Sequence, residues 1–437
     1  MERISLSQRD DWPDLCRKEY ELAAGALEEL ARRDKWFPQL WETALWAWSE
    51  GELAKQSWDR LSPLVAQAPE EALNNIRRGA ASWLRGVATR VDTEDGRFLK
   101  LCQVFLALKY DDDLHNGDPL TAAINHPIGR VTEALLDWWF RPDRPDGKGL
   151  PHNLQGLFSN LCNTEVPAFR HARVLLALRA IGLFRADQDW TVANLVPLFD
   201  WDRNKSEAPV VWSGFLHSAR MHVPFIETIK TPFLQAAQHY EDLDSRGGRY
   251  AFLLTFAALD RIESFPPEEL KRATGQLPDD GLQNAIWLLV QMLDDADENR
   301  EEYWQKRVRP YMDSIWPRAR KSRSRLVRAR LAELCVAAGG EFPDAVKVIS
   351  PWLSPVSDYS FAVTLLHEAG LCKKFPSDSL ELLARTVDTE TEWGPPSKLQ
   401  ACLKEIKETD ASLEKDAPYM ELDLYIRRRG GEVESDG

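Results

Sequence analysis

The sequence has no long hydrophobic run. No window of about 18 apolar residues occurs, and the longest apolar stretches, such as 286–290, have the length of a segment within a core helix. The first residues, Met1–Leu6, contain no apolar core of the kind found in signal peptides. We therefore predict no secretory leader, no membrane span and a cytoplasmic location.

Cysteine is sparse and never closely spaced. None of the six cysteines forms the Cys-x-x-Cys spacing of a zinc or redox site, and each lies in an apolar stretch typical of a buried free thiol. Six of the eight histidines fall between 115 and 222, but no two have the i, i+4 spacing of a two-histidine ligand set. We expect free thiols in a reducing compartment, no metal and no cofactor.

The common catalytic and nucleotide-binding signatures are also missing. The sequence contains no Walker-type phosphate loop, no Gly-x-Gly-x-x-Gly, no His-Glu-x-x-His and no Gly-x-Ser-x-Gly. It therefore gives no reason to predict an enzyme. A helical hydrolase or nuclease with an unrecognised site stays open as a third class of function.

Tryptophan and acidic residues are abundant instead. The chain has 17 Trp among 437 residues, so large aromatic side chains must form much of its core. Its formal net charge is −14, which argues against binding nucleic acid over the whole surface but allows a local basic patch.

Nearly every segment has the 3.6-residue periodicity of an amphipathic helix. Trp41, Leu45 and Trp48, for example, form one apolar stripe. Further predicted helices are 52–67, 70–90, 94–109, 130–140, 168–187, 224–242, 248–262, 267–276, 279–297, 300–315, 323–338, 357–369, 377–387, 397–409 and 417–428. Two β-rich stretches, 210–212 and 346–349, are short and flanked by helical patterns, so we predict no strand.

Helices joined by short loops predict an all-α fold, namely an α-solenoid of degenerate HEAT/armadillo-like helical pairs. The prolines that we place at first helical turns follow no fixed period and are Pro63, Pro197, Pro310 and Pro351. We predict an N-terminal helical array over 1–145, a central helical segment over 146–265, a C-terminal array over 266–429 and a disordered tail over 430–437.

The segment 125–139 combines a helix start with a polar stripe. His126 lies where an N-cap residue belongs, and Pro127 falls in the first turn. The stripe consists of His126, Arg130, Glu133 and Asp137. It is either an ordinary helix surface with an Arg130–Glu133 pair or a recognition face. Trp138 and Trp139 cannot share one helix face, so one of them should meet a second layer or a partner.

The densest basic stretch is 318–330. Its basic residues are Arg318, Arg320, Lys321, Arg323, Arg325, Arg328 and Arg330. They could follow the phosphates of a nucleic acid, or they could pack against the acidic segment 294–298. No aromatic residue lies between them, which argues against stacking on single-stranded bases.

Residues 125–139 resemble a segment of the helical C-terminal regions of large bacterial antiphage defence proteins, of the SIR2-like or STAND-associated kind. The motif is Asn125-His126-Pro127-x-Gly129-Arg130, followed by Glu133-Ala134-Leu135 and Trp138-Trp139; Trp212–Leu216 adds a little. The likeness covers 115–260. Those proteins join such a region to an effector domain, which this sequence lacks. The resemblance therefore implies a sensor or scaffold part that works with an effector elsewhere.

We predict a non-enzymatic helical-repeat recognition or scaffold module that binds a protein partner, as the sensor part of a bacterial antiphage system. The partner would be an effector or a phage protein. The predicted contact residues are His126, Arg130, Glu133, Trp139 and Trp212. The alternative is a nucleic-acid-binding helical protein that uses the stretch 318–330.

Overall fold

The fold is all-helical. A computed structural model describes residues 12–92, 95–110, 117–140, 146–318, 324–355, 360–391 and 394–430. These residues form helices and turns and contain no β-strand, which confirms the all-α prediction. In the same ranges, no helix is both long and apolar enough to cross a bilayer.

The chain divides into two compact units, residues 1–229 and 230–437. The predicted boundaries near 145 and 265 fall inside these units. In the first unit the α-helices are α1 (Trp12–Lys18), α2 (Tyr20–Arg32), α3 (Pro38–Ala47), α4 (Gly51–Val65), α5 (Glu70–Ala88), α6 (Gly96–Leu106), α7 (Pro119–Asn125), α8 (Pro127–Trp139), α9 (His152–Leu161), α10 (Arg170–Leu178), α11 (Ala180–Ala186), α12 (Gln188–Asn194), α13 (Ala208–Ser218) and α14 (Val223–Thr228).

The second unit is built in the same way. Its α-helices are α15 (Lys230–Gln235), α16 (Gly247–Leu259), α17 (Pro267–Gln276), α18 (Asp279–Asp295), α19 (Arg300–Tyr303), α20 (Arg309–Ser314), α21 (Arg325–Ala337), α22 (Phe342–Ile349), α23 (Ser360–Glu368), α24 (Leu371–Lys374), α25 (Pro376–Thr386), α26 (Leu399–Thr409) and α27 (Ala417–Gly430). A π-helical segment, Trp304–Val308, joins α19 to α20. Of the predicted tail, only Gly430 lies within the described residues, at the end of α27.

Polar caps and prolines fix the helix starts. The Asp95 carboxylate accepts a hydrogen bond from the backbone N–H of Arg97 at α6, and Asp118 accepts one from Thr121 at α7. Proline stands in the first turn of α3, α7, α8, α17 and α25, where its missing N–H costs no helical hydrogen bond.

Helices of the first unit stack side by side in a row formed by α3, α5, α8, α10 and α13. On α5, Gly79 lies against the backbone of Glu42, and one heptad later Gly86 lies against that of Ser49. The two pairs have the same separation along the chain, so α3 and α5 run in the same direction. An added Cβ at Gly86 would lie 1.7 Å from the Ser49 carbonyl oxygen, so only glycine allows this approach.

The second unit has a similar row, in which α16 packs on α18, α18 on α21, α21 on α23 and α23 on α26. Phe252 of α16 stacks on Trp287 of α18 with the ring centroids 5.2 Å apart. The Tyr240 hydroxyl donates to Asp280 at 2.8 Å. The intervening helices make a second set of contacts, from α20 to α22, α22 to α25 and α25 to α27.

Buried tryptophans join neighbouring helices, as their abundance predicts. The indole N–H of Trp48 donates to the Cys16 carbonyl at 2.7 Å, and that of Trp58 donates to Asp95 at 3.1 Å. Trp304 reaches Asp344 in the second unit at 2.9 Å. Each indole thus buries a large apolar area and also satisfies its one donor.

Two long predicted helices are interrupted in the structure. The prediction 224–242 is divided into α14, α15 and a 3-10 segment. The first break is at Ile229, whose φ of −100° and ψ of 21° leave the helical region, and Pro232 lies in the first turn of α15, where its missing N–H costs no helical hydrogen bond. The prediction 168–187 is divided between α10 and α11 at Arg179, whose φ of −103° and ψ of 12° leave the helical region. By contrast, 267–276 matches α17.

Pro63 is not at a helix start but lies inside α4, close to its end. It removes a single helical hydrogen bond there, and burial of Leu61 and Val65 offsets that loss. The other three prolines do lie in first turns: Pro197, Pro310 and Pro351. The β-rich stretches 210–212 and 346–349 are helical, within α13 and α22.

Candidate recognition groove

The polar stripe of α8 lies at the surface of the first unit. The opposite face of α8 is buried against its neighbours through Ile128, Val131 and Leu135. Since α8 packs on both α5 and α10, its polar side chains lie beside residues of those two helices. The side chains of the stripe are therefore partly exposed to solvent and partly covered by residues of α5 and α10.

His126 is the N-cap of α8, as predicted. Its Nδ1 accepts a hydrogen bond from the backbone N–H of Ile128 at 3.2 Å. Its ring stacks on that of His171, the second residue of α10, with centroids 4.0 Å apart and an interplanar angle of 14°. Tyr110 approaches the same ring at 5.3 Å. His126 thus has a structural role at the helix start while part of its side chain stays exposed.

Glu133 pairs with α5 and not with Arg130. The carboxylate lies 3.3 Å from the Arg85 guanidinium, which is also 3.9 Å from Asp137. Asp137 in turn lies 3.8 Å from Arg179, at the end of α10. Burial raises the pKa of Glu133, while the charge of Arg85 acts in the opposite direction. Glu133 and Asp137, the C-terminal half of the stripe, therefore belong to a series of ion pairs that links α8 to α5 and α10.

Arg130 instead borders a depression of 360 Å³ between α3, α5 and the start of α8. A second depression of 230 Å³ adjoins it, since both are lined by Arg78, Asn125 and Pro127. We call the two together the recognition groove. Six residues define it: Glu42, Trp46, Arg78, Asn125, Arg130 and His171.

The larger depression of the groove carries two positive side chains and one negative side chain that make no ion pair with any described residue, and Asp118 lines the smaller depression. Arg78 is exposed, and Arg130 and Glu42 are partly exposed. The Arg130 Nη1 donates to the Ser82 hydroxyl oxygen at 3.1 Å, which holds its guanidinium at the groove. Trp46 is 54% exposed, unusually high for a tryptophan.

Burial excludes the two predicted tryptophans from a contact surface. Trp212 has no exposed area; its indole N–H donates to the Phe199 carbonyl at 3.1 Å, and its ring stacks on that of Trp201. Trp139 is 5% exposed, and its neighbour Trp138 is equally buried. Trp138 and Trp139 are both buried within the first unit, so the second layer expected from the sequence is supplied by the unit itself.

Sequence reasoning missed the groove residues of α3 and α5. One signal was available for Trp46, because it lies off the apolar stripe of Trp41, Leu45 and Trp48 and so must point elsewhere. Nothing in the sequence distinguishes Arg78 from other surface arginines, because its neighbours across the groove come from distant parts of the chain.

The basic stretch is described only in part. Arg320, Lys321 and Arg323 lie outside the described residues. Of the remainder, Arg325 is exposed, Arg328 donates to the Ser354 hydroxyl, and Arg330 pairs with Glu333 at 2.6 Å. Neither these three nor Arg318 pairs with a described residue of the acidic segment 294–298, where Asp294 lies 3.4 Å from Arg300.

Thiols and metal-ligating groups form no second candidate site. All six cysteines are buried and free, as the sequence predicts. Across the described ranges, no group of three or more metal-ligating side chains comes together. A wider cavity of 1070 Å³ lies beside α6 and α9; its lining is largely apolar, including Leu106, Leu157 and Phe169, with His152 and Asn160 among the polar members.

Comparison with known proteins assigns no family. No family model and no solved structure matches the chain. It is similar to uncharacterized protein y4cA of Sinorhizobium fredii, with 25% identity over 151 residues. The match covers 34% of this chain and 12% of that protein, so the chain corresponds to a small part of its relative's length.

Proposed function

We propose that this chain is a non-enzymatic helical-repeat recognition module whose first unit binds a protein partner through the recognition groove. The observation that carries the proposal is the co-directional stacking of α3 and α5, extended by α8. It brings one or two surface residues from each helix to the same groove, namely Trp46, Arg78 and Arg130. Such side-by-side helices are how repeat proteins build extended binding surfaces.

The two rows of helices in the second unit support a HEAT-like repeat. In the second unit, α18, α21, α23 and α26 form one row, while α20, α22, α25 and α27 form another. Each helix of one row alternates along the chain with helices of the other. Stacked helical pairs would produce this alternation, and the irregular helix lengths suit a degenerate repeat.

The residue types in the groove favour a protein partner. Tryptophan and arginine are enriched among the residues that contribute most to protein–protein binding. Trp46 offers a large exposed indole, and Arg78 offers a guanidinium with no ion pair among the described residues. The resemblance to antiphage defence proteins supports an effector or a phage protein as this partner.

The test is affinity purification of the tagged full chain from its native bacterial host, with and without phage challenge. Trp46→Ala is compared with Trp287→Ala, since Trp287 is an exposed tryptophan of the second unit, 40% exposed. We expect a stoichiometric protein that is retained by wild type and by Trp287→Ala. We expect Trp46→Ala to weaken its binding about 30-fold, the effect of losing a central aromatic contact worth about 2 kcal/mol.

Circular dichroism of both variants provides the control for folding. Equal retention by the two variants, or equal loss, would contradict binding at the groove. A preparation that carries nuclease-sensitive absorbance at 260 nm, lost when Arg325 and Arg328 are neutralised, would contradict the proposal and transfer the function to the basic stretch.

A further inference from the structure

We infer that the recognition groove binds an acidic segment of its partner, with a carboxylate between Arg78 and Arg130 and an apolar or aromatic side chain against Trp46. This inference rests on the proposed function and specifies the chemistry of the partner. Three properties of the groove support it: its unpaired charges, the fixed position of one arginine and the exposed indole.

The arginines of the groove differ from the ion-paired arginines of the first unit. Arg60 pairs with Glu28 at 2.6 Å and Arg173 with Glu207 at 2.8 Å, so the charges of those two arginines are neutralised within the fold. Arg78 and Arg130 line one depression and have no described carboxylate within ion-pair distance. In a chain of net charge −14, two such guanidinium groups at one depression concentrate positive charge locally.

The guanidinium group has the right geometry for a carboxylate. Its planar set of donors can form two parallel hydrogen bonds to the two carboxylate oxygens. Arg130 is already oriented by Ser82, whose own hydroxyl donates to the Arg78 carbonyl at 3.1 Å. Less side-chain freedom is therefore lost when a ligand binds, which favours affinity.

Trp46 completes the groove on the α3 side. Its indole N–H has no hydrogen-bond partner among the described residues, so it can donate to a ligand. The Arg17 guanidinium, which pairs with Asp14 at 3.7 Å, lies 5.4 Å from its ring centroid. A depression of 360 Å³ is at the small end of ligand sites and suits a short segment of a chain.

The surrounding carboxylates favour a peptide over a nucleic acid. Glu42 lines the depression of Arg78 and Arg130, and Asp118 lines the adjoining one, so two carboxylates balance the two arginines across the groove. The ion-paired Glu133 and Asp137 follow along α8. A nucleic acid gains its affinity from many phosphate contacts along a continuous basic surface. A single carboxylate beside an apolar residue needs no more than the groove provides.

The test pans a phage-displayed library of random dodecapeptides against the full chain and measures the affinity of synthetic copies by fluorescence anisotropy. We expect the selected peptides to contain Asp or Glu close to Trp, Phe or Leu. Arg78→Gln with Arg130→Gln should weaken their binding at least about tenfold, since each lost contact involves a charged group. Glu42→Gln should strengthen binding, because it removes the one opposing charge of the depression.

A matched control changes charge elsewhere on the same unit. Lys55 and Lys100 are exposed on α4 and α6 and do not line the groove, so Lys55→Gln with Lys100→Gln should leave peptide affinity unchanged. An equal loss in this control would show a general effect of net charge and would overturn the inference.

The outcomes separate the inference from the proposed function. Neutral or basic peptides that bind wild type and lose affinity in Trp46→Ala would overturn the acidic partner but leave the groove as a recognition site. Peptides that bind wild type and Trp46→Ala equally would contradict the proposed function itself. Saturable binding of a fluorescein-labelled mixed-sequence oligonucleotide, lost on neutralising Arg78 and Arg130, would replace the acidic segment with a nucleic acid.

Discussion

The close approach of α3 and α5 leads to an unusual prediction about glycine. Gly86 lies within α5, where alanine is normally the better helix former by about 1 kcal/mol. Yet a Cβ on this residue would lie 1.7 Å from the carbonyl oxygen of Ser49 and 2.5 Å from its carbonyl carbon. Both atoms are backbone, so the added methyl group can be accommodated only if the two helices move apart.

The expected magnitude follows from these two opposed effects. Overpacking a tight interface costs typically about 1–3 kcal/mol, and a contact with backbone belongs at the upper end of that range. After the gain in helix propensity, we expect Gly86→Ala to lower the free energy of unfolding of the first unit by about 2 kcal/mol. Gly156, in α9, has nothing within 4 Å of its Cβ position, so Gly156→Ala should raise that free energy by up to about 1 kcal/mol.

Thermal and urea unfolding, followed by circular dichroism and tryptophan fluorescence, measure both variants against wild type. For a unit of this size, about 2 kcal/mol corresponds to a decrease of roughly 4–8 °C in midpoint temperature. The two substitutions are chemically identical, so the opposite signs test the packing argument directly. If Gly86→Ala were as stable as Gly156→Ala, the proximity of α3 and α5 would be wrong.

Further predictions concern buried ionisable groups. Glu207→Gln should destabilise the first unit by about 3–5 kcal/mol in urea unfolding, because it leaves the fully buried Arg173 without its charged partner. Burial opposes ionisation of Glu207, but hydrogen bonds and charge from Arg173 and Arg170 lower its pKa overall. Its stabilising effect is therefore present above the ordinary glutamate pKa of 4.5 and lost as pH falls through the lowered folded value, which urea midpoints from pH 7 to 3 would reveal. Burial raises the pKa of Cys16 and Cys162 to about 12, so iodoacetamide should label neither thiol in native protein at pH 8 but both in guanidinium, as read by mass spectrometry; native labelling would contradict their burial.

The sequence alone predicts the helices well where apolar periodicity is strong and uninterrupted. The helix predicted at 267–276 has the bounds of α17, and the one at 279–297 ends two residues beyond α18. Such helices bury one continuous stripe, so the local pattern and the tertiary environment agree. Prediction fails within 224–242, where the periodic pattern continues but the backbone of Ile229 leaves the helical region between α14 and α15.

The sequence alone predicts only some of the groove residues. The polar stripe of α8 was recognised, because spacing alone places His126 and Arg130 on one face. The partners of that stripe were not, since Glu133 pairs with Arg85 of another helix. Which helices become neighbours depends on contacts such as that of Gly86 with Ser49, and a single sequence gives no register for helices that far apart along the chain.

The tryptophan hydrogen bonds have a consequence for how the chain is made. The hydrogen bond from Trp48 to Cys16 joins residues 32 positions apart in the sequence. The bond from Trp190 to Ser159 joins residues 31 apart, and the bond from Trp304 to Asp344 joins residues 40 apart. A ribosome adds about 5–20 residues per second, so the two residues of each hydrogen bond are synthesised within about 2–8 s of each other. Each new helix can dock on a helix made a few seconds earlier, and folding can proceed from the N-terminus as the chain emerges.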